Sequence, residues 1–306
     1  MKDIYFPSHD GRTTIHACIW KPEGEIKGVV QIIHGMAEYA ARYSPFAEFL
    51  ASNGYLVCAD DHLGHGQSVY TKQDYGWFNK QGDADTVIAD IRALQLAVKK
   101  QTEGKPYFIM GHSMGSFFCR KYISLYGSDF DGAIIMGTGF KDALTLNSAL
   151  FFVGLNSFFR GSRNRSKFIK ALAFGSYNKK FKPARTQNDW LSKNTENVDK
   201  YEADELCGFS FTNNGYKVLF GIIKEACSQK TIDAVPKDLP VYFVAGADDP
   251  VGGYGKGVTK AYNKFVKAGI TDTSITLYED ARHEILNDDC KERVQNDILN
   301  FINSHI

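Results

Sequence analysis

The chain reads as an α/β protein with a mostly parallel central sheet, helices on both faces and an inserted helical segment. Three observations carry this reading. Apolar runs of strand length recur through residues 1–137 and 236–306, separated by stretches of helical periodicity. Several runs are apolar without alternation, as strands covered on both faces must be. Between the strand ending at Gly137 and the one starting at Pro240, about a hundred residues abandon that rhythm, too many for a loop in a compact domain.

Taken in order, Ile4 to Ser8 and Thr13 to Lys21 flank His9-Asp10-Gly11, whose Asp-Gly step signals a hairpin. Gly28 to Ile33 is a continuous apolar run and predicts a buried strand. Ser44 to Ser52 predicts a helix with Pro45 in its first turn and Asn53-Gly54 as its stop. Tyr55 to Ala59 is a further buried strand. From Asp83 to Lys100, apolar residues at Val87, Ile88, Ile91, Leu94, Leu96 and Val98 repeat as on a helix. Tyr107 to Met110 is a strand running into a helix-like stretch from Ser116 to Tyr126. Strands follow at Ala133–Met136, Val241–Ala245 and Ser274–Leu277, with helices at Lys256–Ala268 and Asp289–Asn303.

The interruption, residues 138–235, is rich in aromatics such as Phe151, Phe158, Trp190 and Phe220, and reads as a helical lid inserted into a core of residues 1–137 and 236–306. From Ala143 through Asn188 it holds no Asp or Glu, while basic residues run from Arg160 to Arg185. The stretch Leu144 to Phe159 is almost wholly apolar. An apolar helix followed by cations suits a membrane surface. The same residues also suit a lid that packs its aromatics inward, lines a pocket with some of them and solvates its charges.

A chain of 306 residues, 43% hydrophobic, can build one large core with an inserted subdomain. A formal net charge of +1 gives no basis for nucleic-acid binding. The opening Met1 to Pro7 lacks the apolar run of a secretion signal, and no stretch is long and apolar enough for a bilayer span. The six cysteines show no paired spacing, and Cys18, Cys58 and Cys119 fall in apolar segments. These features predict a cytoplasmic protein without disulfides. No metal-ligand spacing or phosphate loop is present, so no cofactor is implied.

The chemistry centres on Gly111-His112-Ser113-Met114-Gly115, a G-x-S-x-G sequence between a strand and a helix. A sharp turn there lifts Ser113 Oγ clear of the sheet, and flanking glycines Gly111 and Gly115 permit close packing. A serine hydroxyl needs a base, and the base needs an orienting carboxylate. In a parallel sheet these come from loops after the carboxyl ends of strands. Two qualify: Gly246 to Gly252, with Asp248 and Asp249, and Glu279 to Glu284, with His283. Pro250 keeps Asp249 out of helical backbone, with Asp248 as its substitute. For a developing oxyanion, donors are expected from the N–H of Met114 and the N–H of Met36, with His34 and Gly35 shaping the turn before Met36.

With these residues in place the chain resembles the α/β-hydrolase family of monoacylglycerol lipases and bacterial lysophospholipases. The matching pieces are His34-Gly35, Asp61 through Ser68, Gly111 through Gly115, Gly246 through Val251, and Ala281-Arg282-His283, in that order. The resemblance implies the α/β-hydrolase fold, Ser113, Asp249 and His283 as a catalytic triad, and the Met36 and Met114 amides as an oxyanion hole. In that family the acid stands three residues after the loop glycine, here Gly246, which together with Pro250 favours Asp249 over Asp248. The order Ser…Asp…His is that of this scaffold. Two departures stand out. Ala37 and Tyr39 occupy positions where the resemblance expects Gly and His, and residues 138–235 carry no matching motif.

The expected activity is hydrolysis of carboxylic esters through an acyl-enzyme, with single-acyl lipids such as monoacylglycerols or lysophospholipids as substrates. A short-chain or feruloyl-type esterase would use the aromatics equally well. A non-catalytic ligand-binding protein on the same scaffold is the alternative of another class. The expected partner is a small ester or lipid, with transient membrane-surface contact through the inserted segment.

Overall fold

A computed structural model describes residues 1–306. The strands are β1 (Lys2–Pro7), β2 (Thr14–Trp20), β3 (Gly28–Ile33), β4 (Tyr55–Asp60), β5 (Tyr107–His112), β6 (Gly132–Met136), β7 (Val241–Gly246) and β8 (Thr273–Tyr278). They form one sheet in the order β1-β2-β4-β3-β5-β6-β7-β8. β2 runs antiparallel to both of its neighbours, and every pair from β4 to β8 is parallel.

The continuous apolar runs are strands buried on both faces. Along β5, Tyr107 and Ile109 enter one core while Phe108 and Met110 enter the other. Along β7, Val241, Phe243 and Ala245 alternate in the same way with Tyr242 and Val244. On one face pack α1 (Ser44–Ser52), through Phe46 and Leu50, and the C-terminal helix at Lys291–Asn303, through Val294 and Ile298. The opposite face is covered by α2 (Asp85–Gln101), α3 (Met114–Tyr126) and the helix at Lys256–Lys267. The chain leaves β3 toward β4 on one side and pairs β3 with β5 on the other, so the winding direction reverses between β3 and β5. Ligands of open α/β sheets bind in the crevice at such a point.

Between β6 and β7 the chain forms no strand but five helices, α4 (Ala143–Arg160), α5 (Lys167–Phe174), α6 (Thr195–Ala203), α7 (Asn213–Ala226) and α8 (Gln229–Asp233). Each opens on a polar cap whose side chain accepts a backbone N–H: Asp142, Ser166, Asn194, Thr212 and Ser228. The helices at Lys256–Lys267 and Lys291–Asn303 are then α9 and α10. α7 is the anchor of the group, burying Tyr216, Leu219 and Phe220 on one stripe. α4 differs. It buries only Leu146 and Val153 and leaves Leu144, Phe151, Phe158 and Phe159 between 66 and 83% exposed. For those phenylalanines, inward packing is not what the fold provides.

Candidate active site

Ser113 sits at the carboxyl end of β5, where the chain turns into α3 with φ 54° and ψ −120°. A side chain at positive φ costs free energy and persists only where surroundings enforce it. Here Ser113 N–H donates to Met136 O at 3.0 Å, tying the corner to β6. A Cβ on Gly115 would fall on the carbonyl oxygens of Ile33 and His34, and one on Gly111 would meet Cys119 Cβ at 2.6 Å. The glycines therefore let α3 lie against the end of β3. That contact brings the loop after β3 beside Ser113, whose Cβ lies 3.1 Å from where a Gly35 side chain would begin.

His283 and Asp249 come from the loops after β8 and β7 and are both buried. Asp249 Oδ2 accepts from His283 Nδ1 at 2.9 Å, and its Oδ1 accepts from Val251 N at 2.8 Å. With its proton on Nδ1, the ring keeps the Nε2 lone pair free as a base. Asp248, the other candidate, is half-buried and makes no hydrogen bond to the ring. The His283 ring is held between His112 and Trp190, with centroids at 4.8 and 5.1 Å. Ser113 and His283 line the same cavity, without a hydrogen bond from Oγ to the ring.

Met36 and Met114 line that cavity too, and neither amide N–H meets a protein acceptor. Met114 is the first residue of α3, where N–H groups are orphaned by helix geometry and carry the positive end of the dipole. His34 sits behind the turn, its Nδ1 donating to Gly35 O at 2.8 Å and its Nε2 accepting from His62 N at 2.9 Å. Burial, reinforced by the neighbouring His62, pushes the His34 ring down to about 4. Ala37 has φ 52°, a left-handed backbone in which glycine would be unstrained. Its carbonyl is pinned by Gly208 N–H at 3.0 Å and Tyr201 O–H at 3.2 Å, both from the segment between β6 and β7.

Part of the cavity wall is a buried polar network that sequence reasoning missed. Glu38 Oε1 accepts from Gly35 N at 2.6 Å and Tyr43 O–H at 2.9 Å, and its Oε2 meets Arg42 at 2.6 Å. Arg42 also grips Glu284, adjacent to His283, through two bonds of 2.9 Å. Asn197 of α6 donates to the same carboxylate at 2.8 Å. Burial alone would push the Glu38 carboxyl up, but the bond to His112 and the charge of Arg42 outweigh it and hold it far below the ordinary range. Glu284 is likewise lowered, its desolvation overcome chiefly by Arg42. One guanidinium thus bridges two carboxylates and ties the Met36 loop, the His283 loop and α6 together. The i, i+4 spacing of Glu38 and Arg42 was visible, but Glu284 as third partner comes only from tertiary structure.

The cavity holds about 960 Å³, near the top of the range for small-molecule sites. Its lining is mostly apolar, with Leu144 and Phe152 of α4, Leu172 and Phe174 of α5, and Leu219 and Phe220 of α7. The basic stretch that precedes and includes α5 divides. Arg163 pairs with Asp74 and Arg165 bonds backbone carbonyls, whereas Lys167 and Lys170, with Lys141 from before α4, line the cavity.

Residues 24–290 match the family model described as serine aminopeptidase, S33. The chain belongs to this family. It is 28% identical to the monoglyceride lipase of Rattus norvegicus over 288 residues, spanning 94% of this chain and 84% of that protein. It is 25% identical to the monoacylglycerol lipase of Mycolicibacterium smegmatis over 292 residues, 94% and 92% of the two chains. Among solved structures, a thermostable carboxyl esterase from Bacillus coagulans in complex with glycerol superposes with a TM-score of 0.93 at 28% identity, covering 99% and 98% of the two chains. The chain is an α/β-hydrolase resembling monoacylglycerol lipases, and the sheet order and its helical layers agree with that fold.

Proposed function

We propose that this hydrolase cleaves carboxylic esters of single-acyl lipids, monoacylglycerols or lysophospholipids, through an acyl-enzyme on Ser113. The observation that carries the reading is a largely apolar cavity of about 960 Å³ with Ser113 and His283 in its wall, His283 being backed by the buried Asp249. In this reading His283 Nε2 takes the Ser113 proton as Oγ attacks the ester carbonyl. The Met36 and Met114 amides receive the oxyanion, each donor supplying roughly 3–4 kcal/mol. The imidazolium, stabilised by Asp249, returns its proton to the leaving alcohol. Water activated by the same ring then releases the fatty acid. The apolar walls from α4, α5 and α7 would take the acyl chain, with residues 138–235 acting as a lid on a core of residues 1–137 and 236–306.

The lipase and esterase names of its relatives support an ester substrate. A peptidase role, suggested by the family description, lacks a free carboxylate in the wall to bind a substrate ammonium. Both acidic residues there, Glu38 and Glu284, are engaged by Arg42. A second reading, an aromatic-acid esterase, is favoured by the rings of Tyr177, Trp190 and Phe174 beside the site.

The exposed phenylalanines of α4 would rest on a membrane surface while lipid enters. No helix is long and apolar enough to cross a membrane. The test is a p-nitrophenyl ester series with methyl ferulate, 1-monoacylglycerol and lysophosphatidylcholine, run with wild type and Ser113→Ala. Rates rising to acyl chains of eight carbons or more, and lost in the variant, support the proposal. Activity peaking at acetate and absent at eight carbons overturns it.

A further inference from the structure

Away from the cavity, at the outer edge of the sheet, three side chains of different donor type converge. In the antiparallel ladder Asp3 of β1 stands opposite Cys18 of β2, and Tyr5 stands opposite His16. Residues two apart on a strand share a face, so Asp3, His16 and Cys18 project together. Asp3 Oδ1 lies 2.9 Å from His16 Nε2, and Cys18 Sγ lies 3.9 Å from that oxygen and 4.0 Å from that nitrogen. All the donor atoms fall within 4.8 Å of one another.

We propose that Asp3, His16 and Cys18 form a zinc-binding site. Tetrahedral zinc with bonds of about 2.0–2.3 Å separates its ligand atoms by about 3.3–3.6 Å. Reaching that geometry requires the Asp3–His16 gap to open by about 0.4 Å and the sulfur to move in by about as much. Closing the sulfur gap takes a small rotation of the buried Cys18 side chain toward Nε2, whereas the Asp3–His16 gap is opened by Asp3, whose side chain is 48% exposed. Its exposure also gives the ion a route in.

The support behind the ligands is what distinguishes this cluster from a chance meeting. Asp61 Oδ2 accepts from His16 Nδ1 at 2.8 Å, which fixes the ring and directs Nε2 at the other two donors. A carboxylate on the far nitrogen of a ligating histidine is the usual outer partner in zinc sites. Asp61 is itself fully buried and held by Ala40 N and Gln67 N, each at 2.8 Å. The Gln67 amide nitrogen, 3.4 Å from Nε2 with its Oε1 accepting from Tyr5 O–H at 3.0 Å, stands beside a fourth position that water could fill. Binding would release the thiol proton and the Nε2 proton and put the metal on both atoms. The ion would staple the edge hairpin to the loop that begins at Asp61, and through Ala40 to the chain that follows Met36. The site is invisible to motif spacing because its ligands lie on two strands that only the ladder brings together.

The full-length chain, stripped of metal, is titrated with Zn²⁺ against a chromogenic chelator, and separately with Co²⁺ as a spectroscopic probe. The expected result is one Zn²⁺ per chain, weakened at least tenfold by D3N and by C18S and 10- to 100-fold by D61N. The Co²⁺ protein should show a near-ultraviolet thiolate-to-metal band that C18S removes. Near-isosteric D3N and C18S guard against misfolding, checked by circular dichroism. Binding unchanged in D3N or C18S, wild-type binding of less than one equivalent, or a Co²⁺ spectrum without a thiolate band overturns the proposal.

Discussion

Replacing Glu38 with Gln keeps the shape of the side chain and removes its charge. In the wild type one oxygen serves Gly35 N–H and Tyr43 O–H while the other meets Arg42. A glutamine can satisfy the first pair with its carbonyl, but its NH₂ then faces the Arg42 guanidinium, donor against donor. Breaking a buried ion pair costs about 3–5 kcal/mol when a charge is stranded. Arg42 is not stranded, since Glu284 holds it through two bonds, and removing Glu38 also relieves repulsion between the two carboxylates. The loss should therefore be about 2–3 kcal/mol, near the value of a charge-assisted bond. The sign with pH follows from the depressed carboxyl. A folded-state value below the unfolded one adds stability above about pH 4.5 that fades as pH falls toward the folded value. Urea unfolding of wild type and E38Q should thus differ most near pH 7 and converge in acid. If the Met36 amide acts as proposed, kcat should fall about tenfold with little change in KM. A stability difference under 0.5 kcal/mol, or one independent of pH, would refute this reasoning.

Asp249→Asn should cut kcat by roughly 10³–10⁴, because the ring loses the acceptor that keeps its proton on Nδ1, while circular dichroism stays native. Gly115→Ala places a Cβ on the Ile33 and His34 carbonyls and should yield little folded protein, measurable as soluble expression and thermal unfolding. The His34 ring, pushed to about 4, should remain neutral at pH 5 by NMR. The unfolded chain binds more protons than the folded one between about pH 6.5 and 4, so this residue removes about 3 kcal/mol of stability as pH falls through that window. Phe158→Asp with Phe159→Asp should weaken co-sedimentation with anionic phosphatidylglycerol vesicles while hydrolysis of a soluble p-nitrophenyl ester changes little.

Much of this was legible in the residues because local and global signals coincide. Gly28–Ile33 and Ser44–Ser52 have the predicted bounds, since an unbroken apolar run and a Pro-started, Asn-Gly-stopped helix each specify one conformation. Helix α3 begins at Met114 rather than Ser116, because the tight corner at Ser113 leaves no linker. Asp249, favoured over Asp248 by Pro250 together with the family resemblance, is the aspartate that meets His283, and Met36 and Met114 reach the same cavity wall. Of the five helices between β6 and β7, only α4 stands out in the sequence, as the apolar stretch Leu144 to Phe159, although Asp142, Ser166, Asn194, Thr212 and Ser228 each mark a start. Their periodicity is blurred because α4 exposes apolar residues that a globular helix would bury. The Glu38–Arg42–Glu284 network joins residues more than 240 apart in sequence, and no local pattern encodes such a meeting.

The measurement that bears most directly on the account is mass-spectrometric mapping of a fluorophosphonate adduct on wild type and His283→Gln. A single adduct on the Ser113 peptide, formed at least a hundredfold more slowly in the variant, is the expected result. An adduct on another residue, or labelling of Ser113 at an undiminished rate without the imidazole, would contradict it.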